Sequence, residues 1–273
     1  MTPGVIHEDR FILKPEREAL VAWLETLHPL WEERHGDERG LRQGQTKRRL
    51  LRPVYWLGGW QFACLNYYNP PEYVAERVVA AEPFPDVLQR ITDRIEEQTR
   101  SAFSPEDIPP GWHLNTCLIN LYGLVRRGER WVDVGRVGGH HDSEPGPVAS
   151  LSLGARARFQ FATKARGHED EDIVLEHWLK DRSLLVFGSP KWKKNVFHRV
   201  PRVARQDQYV FDLPVEDFRI RRVNFTLRYV PPEHITPFNA LSPEAHGKVH
   251  AYVQTLAQEA PFFAKALAAE SAP

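Results

Sequence analysis

The sequence predicts an α+β fold that is mainly β, a double-sheet jelly roll flanked by helices. Three observations predict it. Short runs rich in β-branched and aromatic residues follow one another from Thr116 to Val230, turn-forming glycines break them up, and helical periodicity is confined to the two flanks. Strands that follow strands, with no helix between them, suit a two-layer β architecture rather than alternating βαβ units.

Taken in order, Pro15 opens a helical pattern over 15–33, in which Leu20, Trp23, Leu24, Leu27, Leu30 and Trp31 recur at helical spacing and proline suits the first turn. A second helix is expected from Pro85 to Phe103, with Val87, Leu88, Ile91 and Ile95 on one stripe. The β runs are 116–125, 147–154, 157–163, 183–189, 195–200, 208–215 and 222–230, bounded by Gly123, Gly138-Gly139, Gly146-Pro147, Gly154 and Gly188. Ser242-Pro243-Glu244 is a cap-and-start signal for a last helix through Val249, Tyr252, Val253 and Leu256. No repeat or Gly/Ser linker divides the chain, so it reads as one structural domain. Residues 1–110 form a helical segment packed on the core, 111–235 the jelly roll, and 236–273 a C-terminal helix.

Composition narrows the classes. The 273 residues are 42% hydrophobic and 26% charged, which excludes a collagen, a coiled coil, a disulfide-rich miniprotein and a disordered tail. No apolar run approaches the roughly 18–20 residues that span a bilayer, and the first residues lack a signal-peptide layout. With Cys64 and Cys117 the only cysteines, a reduced, cytoplasmic protein is expected. Lys+Arg and Asp+Glu balance at 36 each, which argues against whole-surface attraction to nucleic acid but not against a local basic patch. Lys180, Arg182, Lys191, Lys193, Lys194, Arg199, Arg202 and Arg205 face the single acid Asp181 in one stretch, downstream of the acidic block 169–172. The alternative reading is two solvated faces.

The sharpest chemistry is a 2-His-1-carboxylate triad, which holds a non-haem Fe(II) by one face and leaves the other open. Its trace, H-x-D followed by a distant His, begins at three places: His7/Asp9, His140/Asp142 and His168/Asp170. The first precedes any strand that fixes both ligands, and the last lies in a Gly-and-acid stretch that reads as a hairpin tip. His140 and Asp142 follow the expected Gly138-Gly139 turn and precede a strand, and residues at i and i+2 of an extended segment point the same way. His198, in the run 195–200, is the distal partner; alone it would read as a satisfied core histidine. Downstream, Arg222, Asn224, Thr226 and Arg228 share one face of a strand, and four such polar residues are costly to bury without partners. That face is either an exposed edge or an interior that pairs guanidinium groups with a dicarboxylate.

From about Asn115 to Val230, the ordered set NTCLINLY, HHDSE, PVASLSLG, FQF, FHRV and RVNFTLR resembles the AlkB-like Fe(II)/2-oxoglutarate-dependent dioxygenases. The resemblance implies a double-stranded β-helix core and Fe(II) held by His140, Asp142 and His198. It implies 2-oxoglutarate held at its two ends by Arg222 and Arg228, helped by Asn120, Tyr122 and Asn224, with Ser150 lining the same pocket. It further implies O2-dependent conversion of 2-oxoglutarate to succinate and CO2, with hydroxylation of a substrate carbon. On an N-methyl group this releases formaldehyde and the bare base. Glu144 stands where family nucleic-acid demethylases carry an acid that contacts the damaged base; its other reading is a surface acid in a Gly/Pro turn. The aromatic stretch Tyr55, Trp56, Trp60, Phe62, Tyr67 and Tyr68 falls at the family's nucleotide-recognition lid, where Trp60 and Tyr67 are the substrate-contact candidates, though Trp56 and Phe62 read more readily as core, since aromatics interleaved with apolar residues are more often core. Lys47-Arg48-Arg49 stands ready to touch phosphate. The expected substrate is methylated DNA or RNA, the alternatives being a small molecule or protein side chain handled by the same chemistry, and a β-sandwich binding module that has lost catalysis.

Overall fold

The computed structural model describes residues 2–34, 48–50, 52–61, 78–164, 172–203, 211–213 and 215–270. In chain order the elements are β1 (Val5–Glu8), α1 (Lys14–Leu24), β2 (Glu33–Arg34), β3 (Arg48–Arg49), β4 (Val54–Leu57), β5 (Gly59–Trp60), β6 (Val78–Ala80), α2 (Asp86–Ala102), β7 (Thr116–Arg127), β8 (Arg130–Asp133), β9 (Val137–His140), β10 (Val148–Gly154), β11 (Ala157–Ala162), β12 (Ile173–Leu179), β13 (Ser183–Phe187), β14 (Phe197–Val200), β15 (Phe218–Arg228), β16 (Ile235–Thr236), α3 (Pro243–Ala257) and α4 (Pro261–Glu270). A seven-stranded major sheet runs β1-β13-β10-β15-β7-β4, with β8 paired to β7, and a four-stranded minor sheet runs β12-β11-β14-β9. These are the two layers of a jelly roll with helices on its flank. Among the described residues, no helix is long and apolar enough to cross a membrane.

Side-chain parity decides what each face of the major sheet does. On β10, Ala149, Leu151 and Leu153 point outward; on β15, Val223, Phe225 and Leu227 do the same, and on β7, Cys117, Ile119 and Leu121. That apolar face packs with Leu20 and Leu24 of α1 and Leu88, Ile91 and Ile95 of α2 in one cluster. Alternate residues face the minor sheet. There a second, smaller cluster of Val148, Phe159, Phe161, Leu185 and Phe187 closes one end, and polar side chains fill the other. The main core therefore lies outside the jelly roll, which leaves its interior for a site.

Several expectations are corrected. The first helix stops at Leu24 rather than continuing to 33: Pro29 has no N–H to donate and disfavours helix before it, and Leu30 instead bridges Val54. Residues 1–110 are not simply helical, because β1 and β4 form the two edges of the major sheet. The C-terminal segment carries two helices, broken before Pro261. Gly123 marks no turn; it lies inside β7 at a register shift opposite Ile220–Arg222, where an added Cβ would sit 1.8 Å from the Arg219 carbonyl oxygen. Gly138 and Gly139 belong to β9 itself. The expected strand 208–215 lies largely outside the described residues, and 211–213 form no strand. Nor is the basic run 180–205 one surface: Lys180 pairs with Asp9, while Lys193 and Arg199 are buried.

Candidate metal centre

His140 ends β9 and His198 lies on β14, and the two are cross-strand partners in the minor sheet. Their Nε2 atoms are 3.1 Å apart, and Asp142 Oδ2 lies 3.3 Å from His198 Nε2. Two ligands at right angles, each about 2.1 Å from an octahedral metal, sit about 3.0 Å apart. Both distances match the edge of an octahedral face, and the three ligand atoms all lie within 4.8 Å of one another. Among the described residues this is the one His/Cys/Asp/Glu group close enough to hold a metal ion. The site fits iron by its donors as well: His140 Nδ1 is 2.9 Å from the Gly138 carbonyl, which fixes its proton there and leaves Nε2 a lone pair. His198 is held by stacking, with the Phe159 ring 5.7 Å away and nearly parallel.

Electrostatics keep these donors ready. Burial first, then the neighbouring His198, pushes His140 down to about 4, so its ring is neutral at pH 7. Burial alone would raise the Asp142 carboxyl, but Arg228 and then the two histidines outweigh it and hold Asp142 well below the usual carboxylate range. Arg228 Nη2 donates to Asp142 Oδ1 at 2.9 Å, and its Nε lies 3.0 Å from Glu144 Oε1. Glu144 is accordingly buried in an ion pair rather than standing on the surface of a turn. The loop that carries Asp142 is tied down by Lys193, whose buried ammonium donates to the carbonyls of Glu144 and, at 2.7 Å, Gly146. Burial lowers the Lys193 pKa while Glu144 and Asp142 oppose that shift.

The triad opens into a cavity of about 660 Å³ between the sheets, lined by Asn120, Tyr122, Ser150, Arg222, Asn224 and Arg228 among others. All six co-substrate candidates therefore converge on one space. Asn224 donates to Ser150 Oγ at 2.8 Å, Thr226 donates to Asn224 Oδ1 at 3.0 Å, and Arg222 Nη2 donates to Ser152 Oγ at 3.0 Å. Arg222 is buried, yet its Nε and Nη1 find no hydrogen-bond partner among the described residues. Each such group costs roughly 1–3 kcal/mol, which marks the place of an anionic ligand.

The lid candidates fare differently. Trp60 does not face the cavity: it is 1% exposed, donates to Glu32 Oε1 at 2.9 Å and packs edge-on against Tyr252 and Phe263. Its expected role as a substrate platform is corrected to a core role. Trp56 shares Glu32, yet also lines the cavity. Phe62, Tyr67, Tyr68 and Lys47 lie outside the described residues, as do His168 and Asp170. His7 and Asp9 are 3.7 Å apart, but Asp9 is taken by Lys180. Sequence reasoning missed Arg52, Lys193 and Phe159. Arg52 was discoverable, since Arg52, Val54 and Trp56 alternate into one face; within its basic run Lys193 carries no mark that sets it apart.

An octahedral face of two imidazoles and one carboxylate inside a jelly roll defines a non-haem iron oxygenase centre. The family model of the 2OG-Fe(II) oxygenase superfamily matches residues 4–228, and the chain belongs to that superfamily, with Fe(II) and 2-oxoglutarate as its cofactors. A solved structure of OsALKBH1 aligns over 84% of this chain and 99% of that chain with a TM-score of 0.51 at 20% identity, so the AlkB-like resemblance holds at the level of the fold. A prolyl-4-hydroxylase from Pseudomonas putida aligns over 84% of this chain and 95% of that chain at 14% identity, with a TM-score of 0.37 too low to bear on the chemistry. No curated protein matches the sequence.

Proposed function

We propose that this oxygenase demethylates alkylated nucleobases in DNA or RNA. The observation that carries the reading is the cavity at the triad: its roughly 660 Å³ exceeds what a five-carbon keto diacid fills, and Trp56, Phe159, Phe187 and Phe197 give it aromatic walls suited to a flat ring. The ordered resemblance to AlkB-like enzymes supports it. In this reading Arg222 takes the carboxylate of 2-oxoglutarate remote from the metal, with Tyr122, Asn120, Asn224 and Ser150 along its length. Arg228 serves the metal end by keeping Asp142 ionised and oriented. When bound, iron with 2-oxoglutarate and O2 supplies the oxidation that yields succinate, CO2 and a hydroxylated substrate carbon. The chain's own residues orient the co-substrate, keep His140 neutral and hold the target C–H beside the metal. An N-hydroxymethyl product then loses formaldehyde. Glu144, next to Arg228, places negative charge near the substrate space, where it favours a ring made cationic by alkylation.

A second reading, the same oxidation of a small molecule or a protein side chain, is favoured by two observations: Trp60 is in the core and Glu144 is already paired with Arg228. Methylated and unmethylated oligonucleotides incubated with Fe(II), 2-oxoglutarate and ascorbate separate the two. Formaldehyde release and loss of one methyl group by mass spectrometry support the first reading. Succinate formation that no methylated oligonucleotide stimulates supports the second.

A further inference from the structure

The inner face of the major sheet is ordered in rows. Asn224 on β15 stands opposite Asn120 on β7, which stands opposite Val54 on β4; one row along, Arg222 stands opposite Tyr122. Two residues before Val54, Arg52 continues that second row, and the adjacent Pro53 carbonyl accepts from Leu121 N at 3.1 Å. Arg52, Tyr122 and Arg222 therefore lie side by side. The guanidinium carbons of Arg52 and Arg222 are 5.1 Å and 4.9 Å from the centre of the one Tyr122 ring. Arg52 Nε donates to Asn120 Oδ1 at 2.6 Å, which turns the Asn120 amide nitrogen toward Thr226 and the cavity.

Among the described residues no carboxylate faces this pair. Among the described residues, the polar head of Arg52 contacts Asn120 and Tyr122, and Arg222 contacts the Ser152 hydroxyl and Tyr122 while its Nε and Nη1 find no hydrogen-bond partner there. Two like charges set on one ring repel, and burial lowers the Arg222 pKa, an effect that Tyr122 opposes and the neighbouring Arg52 adds to. An anion within reach of both guanidinium groups offsets both penalties.

We propose that Arg52 determines co-substrate specificity, forming with Arg222 a two-guanidinium seat for the remote carboxylate of 2-oxoglutarate, so that the cavity selects a keto diacid over a 2-oxo monoacid. The proposal rests on the reading that Arg222 marks the remote end. Arg52 is assigned to the co-substrate rather than to the oxidised substrate because both of its contacts, Asn120 and Tyr122, sit in the rows of Arg222 and Asn224. Its charge supplies the second cation, and its bond to Asn120 presets an amide donor along the same ligand.

Calorimetry on the Mn(II)-loaded full-length protein tests this without turnover, using 2-oxoglutarate and 2-oxopentanoate, which has the same chain length and lacks the remote carboxylate. Arg52→Ala should weaken 2-oxoglutarate binding about 10- to 100-fold, the range of a lost charge-assisted contact, and leave 2-oxopentanoate unchanged. Arg52→Lys should recover part of the loss, whereas Arg52→Gln, which keeps an amide donor for Asn120, should not. These conservative variants also serve if Arg52→Ala fails to fold. Unchanged 2-oxoglutarate affinity in Arg52→Ala, or equal loss of both ligands, overturns the proposal while a loss in Arg222→Ala upholds the underlying reading. Normal 2-oxoglutarate affinity in Arg222→Ala overturns that reading and the proposal with it.

Discussion

Arg228 holds Asp142: its Nη2 and Nε donate to the same carboxylate oxygen at 2.9 Å and 3.2 Å, with both residues buried. The second carboxylate oxygen is thereby left to face His198 and the metal space. The residue expected from the sequence to grip 2-oxoglutarate is also the counter-ion of a metal ligand and of Glu144.

Removing that guanidinium strips two buried carboxylates of the cation they share, and breaking a buried pair typically costs about 3–5 kcal/mol. Arg228→Ala should therefore lower the melting temperature and weaken Fe(II) binding at least ~10-fold. Arg228→Lys, which keeps the charge but not the fork, should fall between. Thermal melts and metal titration read both effects.

Three H-x-D traces occur in the chain, and among the described residues the geometry joins only His140 and Asp142 to a distal histidine. His140→Ala and Asp142→Ala should each abolish iron retention and 2-oxoglutarate turnover. His7→Ala should leave both nearly unchanged, because Asp9 is bound to Lys180 instead. Iron content after desalting and succinate yield check the contrast.

What the sequence made legible follows a physical rule. Period-two alternation in 222–228 and 148–154 revealed the strands, and the polar face of the first marked the cavity, because a strand's pleat alone fixes which side chains share a face. Helix α2 was legible for the same reason, its stripe at Leu88, Ile91 and Ile95 being the face it buries. Contacts between elements distant in sequence were not. Nothing in YWLGGW says that Glu32 accepts from both Trp56 and Trp60 and draws Trp60 into the core. Nothing in KWKKN says that the middle lysine turns inward. Short edge strands such as β1 and β9 escaped notice because four residues carry too little periodicity to stand out.

Lys193 ties the loop of Asp142 to the segment leading into the strand of His198. Lys193→Met keeps the length of the side chain and removes the two bonds to Glu144 and Gly146 carbonyls. Its iron should dissociate faster, by ~10-fold or more, as expected when a group supporting a ligand is lost. Lys193→Arg should restore retention in part, which a mere packing defect would not allow.

The pair Glu16–Arg94 joins α1 to α2, with Nη2 and Oε2 at 3.0 Å. The Arg94 hydrogen bond comes first among the effects on Glu16, burial opposes it, and the net result lowers the Glu16 pKa below its ordinary 4.5. A depressed folded-state value means that the stabilisation is complete above the unfolded pKa and is lost as pH falls through the folded one. Urea melts of wild type and Glu16→Gln should therefore differ most at neutral pH and converge as the pH falls below 4.5 and through the lowered folded-state value. A difference that grows on acidification contradicts the assignment.

His140, Asp142 and His198 are positioned to close on one ion beside the guanidinium-lined cavity. Anomalous scattering from crystals grown with Mn(II) and 2-oxoglutarate tests this placement most directly. A single strong metal peak is expected within bonding distance of both Nε2 atoms and the Asp142 carboxylate, with the diacid running from it toward Arg222. A peak elsewhere, or a His198 ring turned out of reach of the ion, contradicts it.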